Sequence, residues 1–212
     1  MKGKICKDEK STKRCIRKIE EKLIKIGIDI AREKEGALFV LTTGRTPDYK
    51  YLVKQSVKPF NILSNKDDKL LESLATIDGA VIISNDGMLT AYGVMIKTTR
   101  TFKGFGTRHA AAISASQGKN ICILISEEQQ KIKLFRNGRY IMQIDALEKG
   151  IENKVERITT LFESLGAGFI GTIGAAVLAP ALGIALIPGV IIFGGGYYAI
   201  KKIMQRAKLH KK

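Results

Sequence analysis

The sequence predicts an α/β protein with a mixed central sheet flanked by helices, followed by a C-terminal apolar helical hairpin. Residues 10–32 repeat apolar side chains at the spacing of one helix face, and residues 37–144 alternate short apolar runs of strand length with turn and helix signals. Residues 164–200 are 37 consecutive positions without a charge. The 212 residues leave room for one domain of ordinary size and a small appendage. There are 36 Lys and Arg against 20 Asp and Glu, a formal charge of +16, while 45% of residues are hydrophobic. Such a chain is neither a disordered polyelectrolyte nor a neutral globule.

The first 34 residues hold 12 Lys and Arg and six acids, with no apolar run to form the core of a secretory signal. Ile16, Ile19, Leu23, Ile26 and Ile30 fall on one helical face with charge elsewhere, so residues 1–34 are read as a basic amphipathic helix. Residues 37–43 form a strand ended by Gly44, and Pro47 can open a helix to about residue 56. A helix over 67–75 comes next. Strands over 80–84 and 88–96 are joined by the turn Asn85-Asp86-Gly87. A Gly-rich loop reaches Gly106, and the Ala-rich stretch 107–117 is a helix bounded by Thr107 and Gly118. Strands over 121–125, 131–136 and 140–144 follow, the last two joined at Asn137-Gly138, and Asp145 then caps a helix to about residue 163. Residues 35–163 thus read as one α/β domain. Cys6, Cys15 and Cys122 match neither a zinc-site nor a disulfide spacing and are read as reduced thiols facing a cytosol.

A straight helix of 37 residues would reach roughly 55 Å, beyond the roughly 30 Å hydrocarbon core of a bilayer. Residues 164–200 also contain nine glycines, Pro180 and Pro188, and Pro188-Gly189 can turn the chain between two passes. Lys149, Lys154 and Arg157 precede the run and Lys201, Lys202 and Arg206 follow it, so both flanks favour the cytoplasmic side. A hairpin or re-entrant loop results, and Gly171, Gly174, Ala175 and Ala176 would let two helices approach closely. A single kinked pass and a helical hairpin buried in a soluble core are the alternatives. Residues 201–212, with six basic residues and no acid, make a tail suited to an anionic membrane face.

Three short motifs bear on chemistry. Asp78-Gly79-Ala80 heads a very apolar strand, where a carboxylate at a sheet end can hold a divalent metal and two small residues admit a nucleotide. The plain alternative is an Asp-Gly turn. Gly106-Thr107-Arg108-His109 opens the Ala-rich helix, where free N–H groups, a hydroxyl and one or two cationic donors would meet phosphate. Its alternative is a capping Thr beside a solvated Arg and a half-buried His. Ser126-Glu127-Glu128 closes a strand and, taken singly, is usually a turn.

In order and spacing, these motifs resemble the diadenylate cyclase family, whose catalytic domain carries Asp-Gly-Ala, then Gly-Thr-Arg-His-Arg about 30 residues later, then Ser-Glu-Glu. The resemblance extends from about residue 37 to about residue 144. It implies a nucleotidyltransferase in which two domains meet face to face, each holding one ATP, and make cyclic di-AMP and two pyrophosphates with a divalent Mg or Mn ion. By position, Asp78, Arg108 and His109 would be catalytic. Asp78 and Glu128 would hold the metal, and Gly79 and Ala80 would line ribose and base. Met95 would pack on adenine, and Gly106, Thr107, Arg108, His109 and Ser126 would bind phosphate. The family's second Arg, after the His, is replaced by Ala110, which removes one cationic contact; Arg100, Lys103 or a partner subunit is a candidate substitute. A homodimer, at least transient, is implied.

The expectation is therefore a membrane-associated diadenylate cyclase with a cytoplasmic catalytic domain, held by its C-terminal segment. Readings from other classes are a catalytically inactive, membrane-tethered nucleotide sensor, a basic tether between nucleic acid and membrane, and a membrane-permeabilising effector. No specific nucleic-acid partner is expected, because the chain has no recognisable nucleic-acid module, no Trp, and no aromatic residues interleaved with its basic runs.

Overall fold

The fold is a computed structural model that describes residues 9–64, 66–98, 106–166 and 187–193. In chain order the elements are α1 (Glu9–Arg32), β1 (Ala37–Thr42), β2 (Tyr49–Tyr51), α2 (Asp68–Thr76), β3 (Ala80–Ser84), β4 (Leu89–Ile96), α3 (Thr107–Ala115), β5 (Ile121–Ser126), β6 (Lys131–Arg136), β7 (Arg139–Asp145), α4 (Val155–Gly166) and β8 (Val190–Ile192). The strands form one sheet in the order β2-β4-β3-β1-β5-β6-β7-β8. β1 and β3 are parallel and the other neighbours antiparallel, so the sheet is mixed, as the sequence predicts.

Central strands β1, β3 and β5 are covered on both faces, which is why Leu38-Phe39-Val40-Leu41, Val81-Ile82-Ile83 and Ile121-Cys122-Ile123-Leu124-Ile125 read as unbroken apolar runs. One face packs against α1, α2 and α4 in a core that includes Leu23, Phe39, Leu71, Ile123 and Phe162. Among the described residues the other face packs against α3, with Val40, Ile82, Ala112, Ile113, Leu124 and Phe135 in contact. The apolar face of α1 is part of the first core. Gly27 marks where the helix crosses β5, since a methyl group there would lie 3.3 Å from Ile125 Cγ1.

The helix expected after Pro47 is absent; Tyr49–Tyr51 pairs instead with the edge of β4. The segment is rich in strand-favouring residues, and β4 offers backbone partners that a lone helical turn would forgo. The following loop is pinned by Tyr92. Its hydroxyl accepts the Ser56 N–H at 2.7 Å and the Val57 N–H at 3.2 Å, while Gln55 exchanges two hydrogen bonds with the Tyr92 backbone. The helix expected from Asp145 begins ten residues later. Asp145 ends β7, its Oδ1 accepts the Leu147 N–H at 3.0 Å, and Gly150 at φ +69° breaks the path before a short 3-10 turn, Ile151–Lys154, leads into α4.

Within the apolar run, Pro188-Gly189 does turn the chain, with Gly189 at φ +82°, but the residues after the turn are a strand where a helical arm was expected. Ile187 is buried in the first core and Val190–Ile192 pairs with β7. Three β-branched residues satisfy an open sheet edge there, a choice that apolar composition alone does not distinguish from a membrane helix. The remainder of the expected hairpin, residues 167–186 and 194–200, and the basic tail lie outside the described residues. Among the described residues no helix is long and apolar enough to cross a membrane.

Candidate active site

Register brings the three motifs to one end of the sheet. β1 lies between β3 and β5; Phe39 is level with Val81 and Ala37 with Ile125. The residues before β3 (Asp78 and Gly79), the start of β1 (Gly36) and the end of β5 (Ser126) therefore stand side by side. Ala80 is opposite Val94, which puts Met95 at the same end, and Ser126 is opposite Lys131. Positions some 50 residues apart in sequence thus share one rim.

α3 brings the fourth wall. Its N-cap is Gly106, one residue earlier than the Thr107 cap expected, and no side chain caps it. A helix start without a side-chain cap presents N–H groups and a partial positive charge to an anion. Thr107 is exposed and Arg108 is half-buried. The Arg108 guanidinium lies against Gly36, where a methyl group would overlap Nη1 and come within 3.5 Å of Glu127 Cβ. Gly36 is a site residue that the sequence reading missed, because nothing local to it refers to residue 108. Gly36→Ala is expected to leave the melting temperature within about 2 °C, since a flexible side-chain end can move aside. It should push the Arg108 guanidinium out of its place against residue 36, a change read in a crystal structure of the variant.

His109 faces the sheet. Its Nε2 lies 2.9 Å from Lys133 Nζ, and its ring meets Phe135 edge to face at 6.3 Å. Phe135 stacks on Tyr140 at 5.0 Å, and Tyr140 on Phe193, just after β8, at 4.5 Å. Burial first, and the Lys133 charge second, push the His109 pKa down to about 4. His109 is therefore neutral at physiological pH, and Arg108 is the cation that the helix start contributes.

Gly79 has a structural reason to be glycine. It sits at φ +108°, and a methyl group would meet Val94 N at 2.7 Å and Val94 O at 2.8 Å. The small residue beside Asp78 is thus required by the backbone of β4 whether or not a ligand comes near. Gly79→Ala should destabilise the fold by about 2 kcal/mol, measured by urea denaturation. Asp78 and Glu128 are exposed. Met95 is 49% exposed and belongs to neither core; its neighbours Val94 and Ile96 pack on the α3 face, so alternation turns Met95 to the other face of the rim. Tyr51 and Leu52, on and beside β2, are likewise exposed.

No curated protein matches the sequence. A structure of a hypothetical membrane spanning protein from Bacillus cereus is similar at 22% identity, with a TM-score of 0.45, over 56% of this chain and 59% of that one. The chain therefore spans less than two thirds of that protein's length. A double-mutant structure of DacA from Staphylococcus aureus is similar at 21% identity, with a TM-score of 0.45, over 72% of this chain and 97% of that one. The family model described as DisA bacterial checkpoint controller nucleotide-binding matches residues 27–140, more than half of the chain and the segment that holds all three motifs. The chain belongs to the DisA bacterial checkpoint controller nucleotide-binding family.

Proposed function

We propose that this protein is a diadenylate cyclase that joins two ATP molecules into cyclic di-AMP and releases two pyrophosphates. The observation that carries the reading is the meeting of Asp78-Gly79-Ala80, Thr107-Arg108-His109 and Ser126-Glu127-Glu128 at one rim, inside the segment that defines the family. The start of α3, Arg108, Thr107 and Ser126 hold the triphosphate. Arg108 stabilises the charge that gathers on pyrophosphate as it leaves. Each 3′ hydroxyl gives its proton to water as its oxygen forms a bond to the α-phosphorus of the opposite ATP, while the α-phosphorus to bridging-oxygen bond breaks and its electron pair departs with pyrophosphate.

Asp78 and Glu128 supply hard oxygen donors of the kind that Mg or Mn takes. Among the described residues there is no group of three His, Cys, Asp or Glu side chains that could hold a metal ion, so Asp78 and Glu128 would need further oxygen donors from elsewhere. When bound, the ion lowers the pKa of the attacking hydroxyl and offsets phosphate charge. A single domain holds one ATP, so two must face each other. Tyr51, level with Val94 on the α3 side, and Met95, on the reverse side, give the rim exposed apolar surface for adenine or for the partner. Residues 201–212 place the protein at an anionic membrane surface, with the domain on the cytoplasmic side.

The test is to incubate the full chain with ATP and Mn²⁺ or Mg²⁺ and to look for cyclic di-AMP by mass. Product formed at a rate rising with the square of protein concentration is the expected result. A folded chain that binds ATP and makes no product with either ion would instead be a nucleotide sensor.

A further inference from the structure

Lys133 lies in the middle of β6 and is 5% exposed. A buried ammonium is costly unless something offsets its charge, yet among the described residues Lys133 forms no ion pair. Its hydrogen-bond partner is the uncharged His109 ring, at 2.9 Å. An ammonium can only donate, so the contact makes His109 Nε2 the acceptor and puts the imidazole proton on Nδ1. Lys133 pairs in register with Leu124, which packs on the α3 face, and the next pair along that face is Lys131 with Ser126. The amine therefore stands beneath the start of α3, one step in from the rim. The charges from β6 and the β5–β6 turn that act on it are Lys131, which opposes a second cation, and Glu128, which favours one. On the helix itself, position 110 is a buried alanine and brings no charge.

We infer that Lys133 is a substrate-binding residue: its amine, reaching across from the sheet to His109, supplies to an ATP phosphate the cation that α3 lacks at Ala110. A phosphate oxygen arriving beside His109 offsets the buried charge, and Arg108 from the helix and Lys133 from the sheet then grip the triphosphate from two sides. The inference rests on the ATP-binding reading above and deepens it.

Full-length protein is titrated by calorimetry with ATP and, separately, with adenosine, using Lys133→Gln, which keeps a donor to His109 but not the charge, and Lys133→Arg. K133Q should bind ATP roughly 10- to 100-fold more weakly and adenosine within about twofold of the parent. K133R should recover ATP affinity to within about threefold. Should K133Q not fold, as read by near-UV dichroism, Lys133→Met, which keeps the apolar stem, takes its place with the same expectation. Unchanged ATP affinity in the neutral variant overturns the assignment. So do equal losses for ATP and adenosine, which would mark a purely structural lysine. A parent that binds no ATP would bring down the functional reading itself, whereas a parent that binds ATP with an indifferent K133Q brings down only the role of Lys133.

Discussion

Asp78→Asn in the full chain is expected to lower cyclic di-AMP formation roughly a thousandfold or more while the protein stays folded. The carboxylate precedes β3 at the rim where the α3 start, Arg108 and the end of β5 meet, and it is exposed. Its replacement by an amide of the same shape buries no unpaired group, so the stability change should stay within about 0.5 kcal/mol. On the proposed mechanism the amide would not supply the negative charge that Asp78 would offer a divalent ion, and the loss would be felt in the chemical step. ATP affinity without metal should change little, because the groups assigned to the triphosphate are Arg108, Lys133 and the helix start. Product mass, thermal melting and ATP titration are measured on the same preparation. Full activity in D78N would remove Asp78 from the site and with it the mechanism given above. Lost activity with equally lost folding would leave Gly79, whose positive φ lies next door, as the reason, and Asp78→Ser then repeats the test with a smaller side chain.

Much of this rim is legible in the sequence because its parts are local. An Asp-Gly pair before Val81-Ile82-Ile83, a Gly-Thr start to an Ala-rich helix, and a Ser-Glu-Glu turn after Ile121–Ile125 each announce a sheet or helix end within a few residues. The central strands are equally plain, since burial on both faces leaves no polar position to confuse the pattern. What is hidden depends on contacts across the chain. Gly36 matters through a guanidinium 72 positions later, and Lys133 through an imidazole on the opposite layer. Tyr49–Tyr51 is a strand because β4 has an open edge, and Val190–Ile192 because β7 does. In the second case the same apolar letters satisfy a lipid-facing helix and a sheet edge alike, and only the register with Met142, Gln143 and Ile144 separates them. Glu20 is the opposite kind of failure. In the helical pattern it reads as one more charge on the wet face of α1, but α1 is wedged between the sheet and α4, and Glu20 is 1% exposed.

That burial sets up a large pH effect on stability. Among the described residues neither carboxyl oxygen of Glu20 has a hydrogen-bond partner, and burial, with the nearby Glu163 charge adding to it and Arg136 opposing it, pushes the pKa up to about 8. In the unfolded chain the same group titrates at its ordinary value of 4.5. Between these two values the folded protein holds a proton that the unfolded chain has released, so rising pH favours unfolding throughout that window. The accumulated loss approaches roughly 4 kcal/mol by pH 8. Glu20→Met keeps the length of the side chain and its helix preference while removing the titration and the unpaired oxygens. The variant should be more stable than the parent by about 1 kcal/mol at pH 5, where only the cost of a buried neutral carboxyl is relieved. The gain should widen to about 4–5 kcal/mol at pH 8. Urea denaturation of both proteins at several pH values measures it, and other titrating groups cancel in the difference. Parallel stability curves from pH 5 to pH 8 would mean that Glu20 reaches water in solution and that α1 does not pack against α4 as described. Since Glu20 lies on the core side of α1, away from the rim, the variant should make cyclic di-AMP at the parent's rate, so that stability and chemistry can be changed separately in one chain.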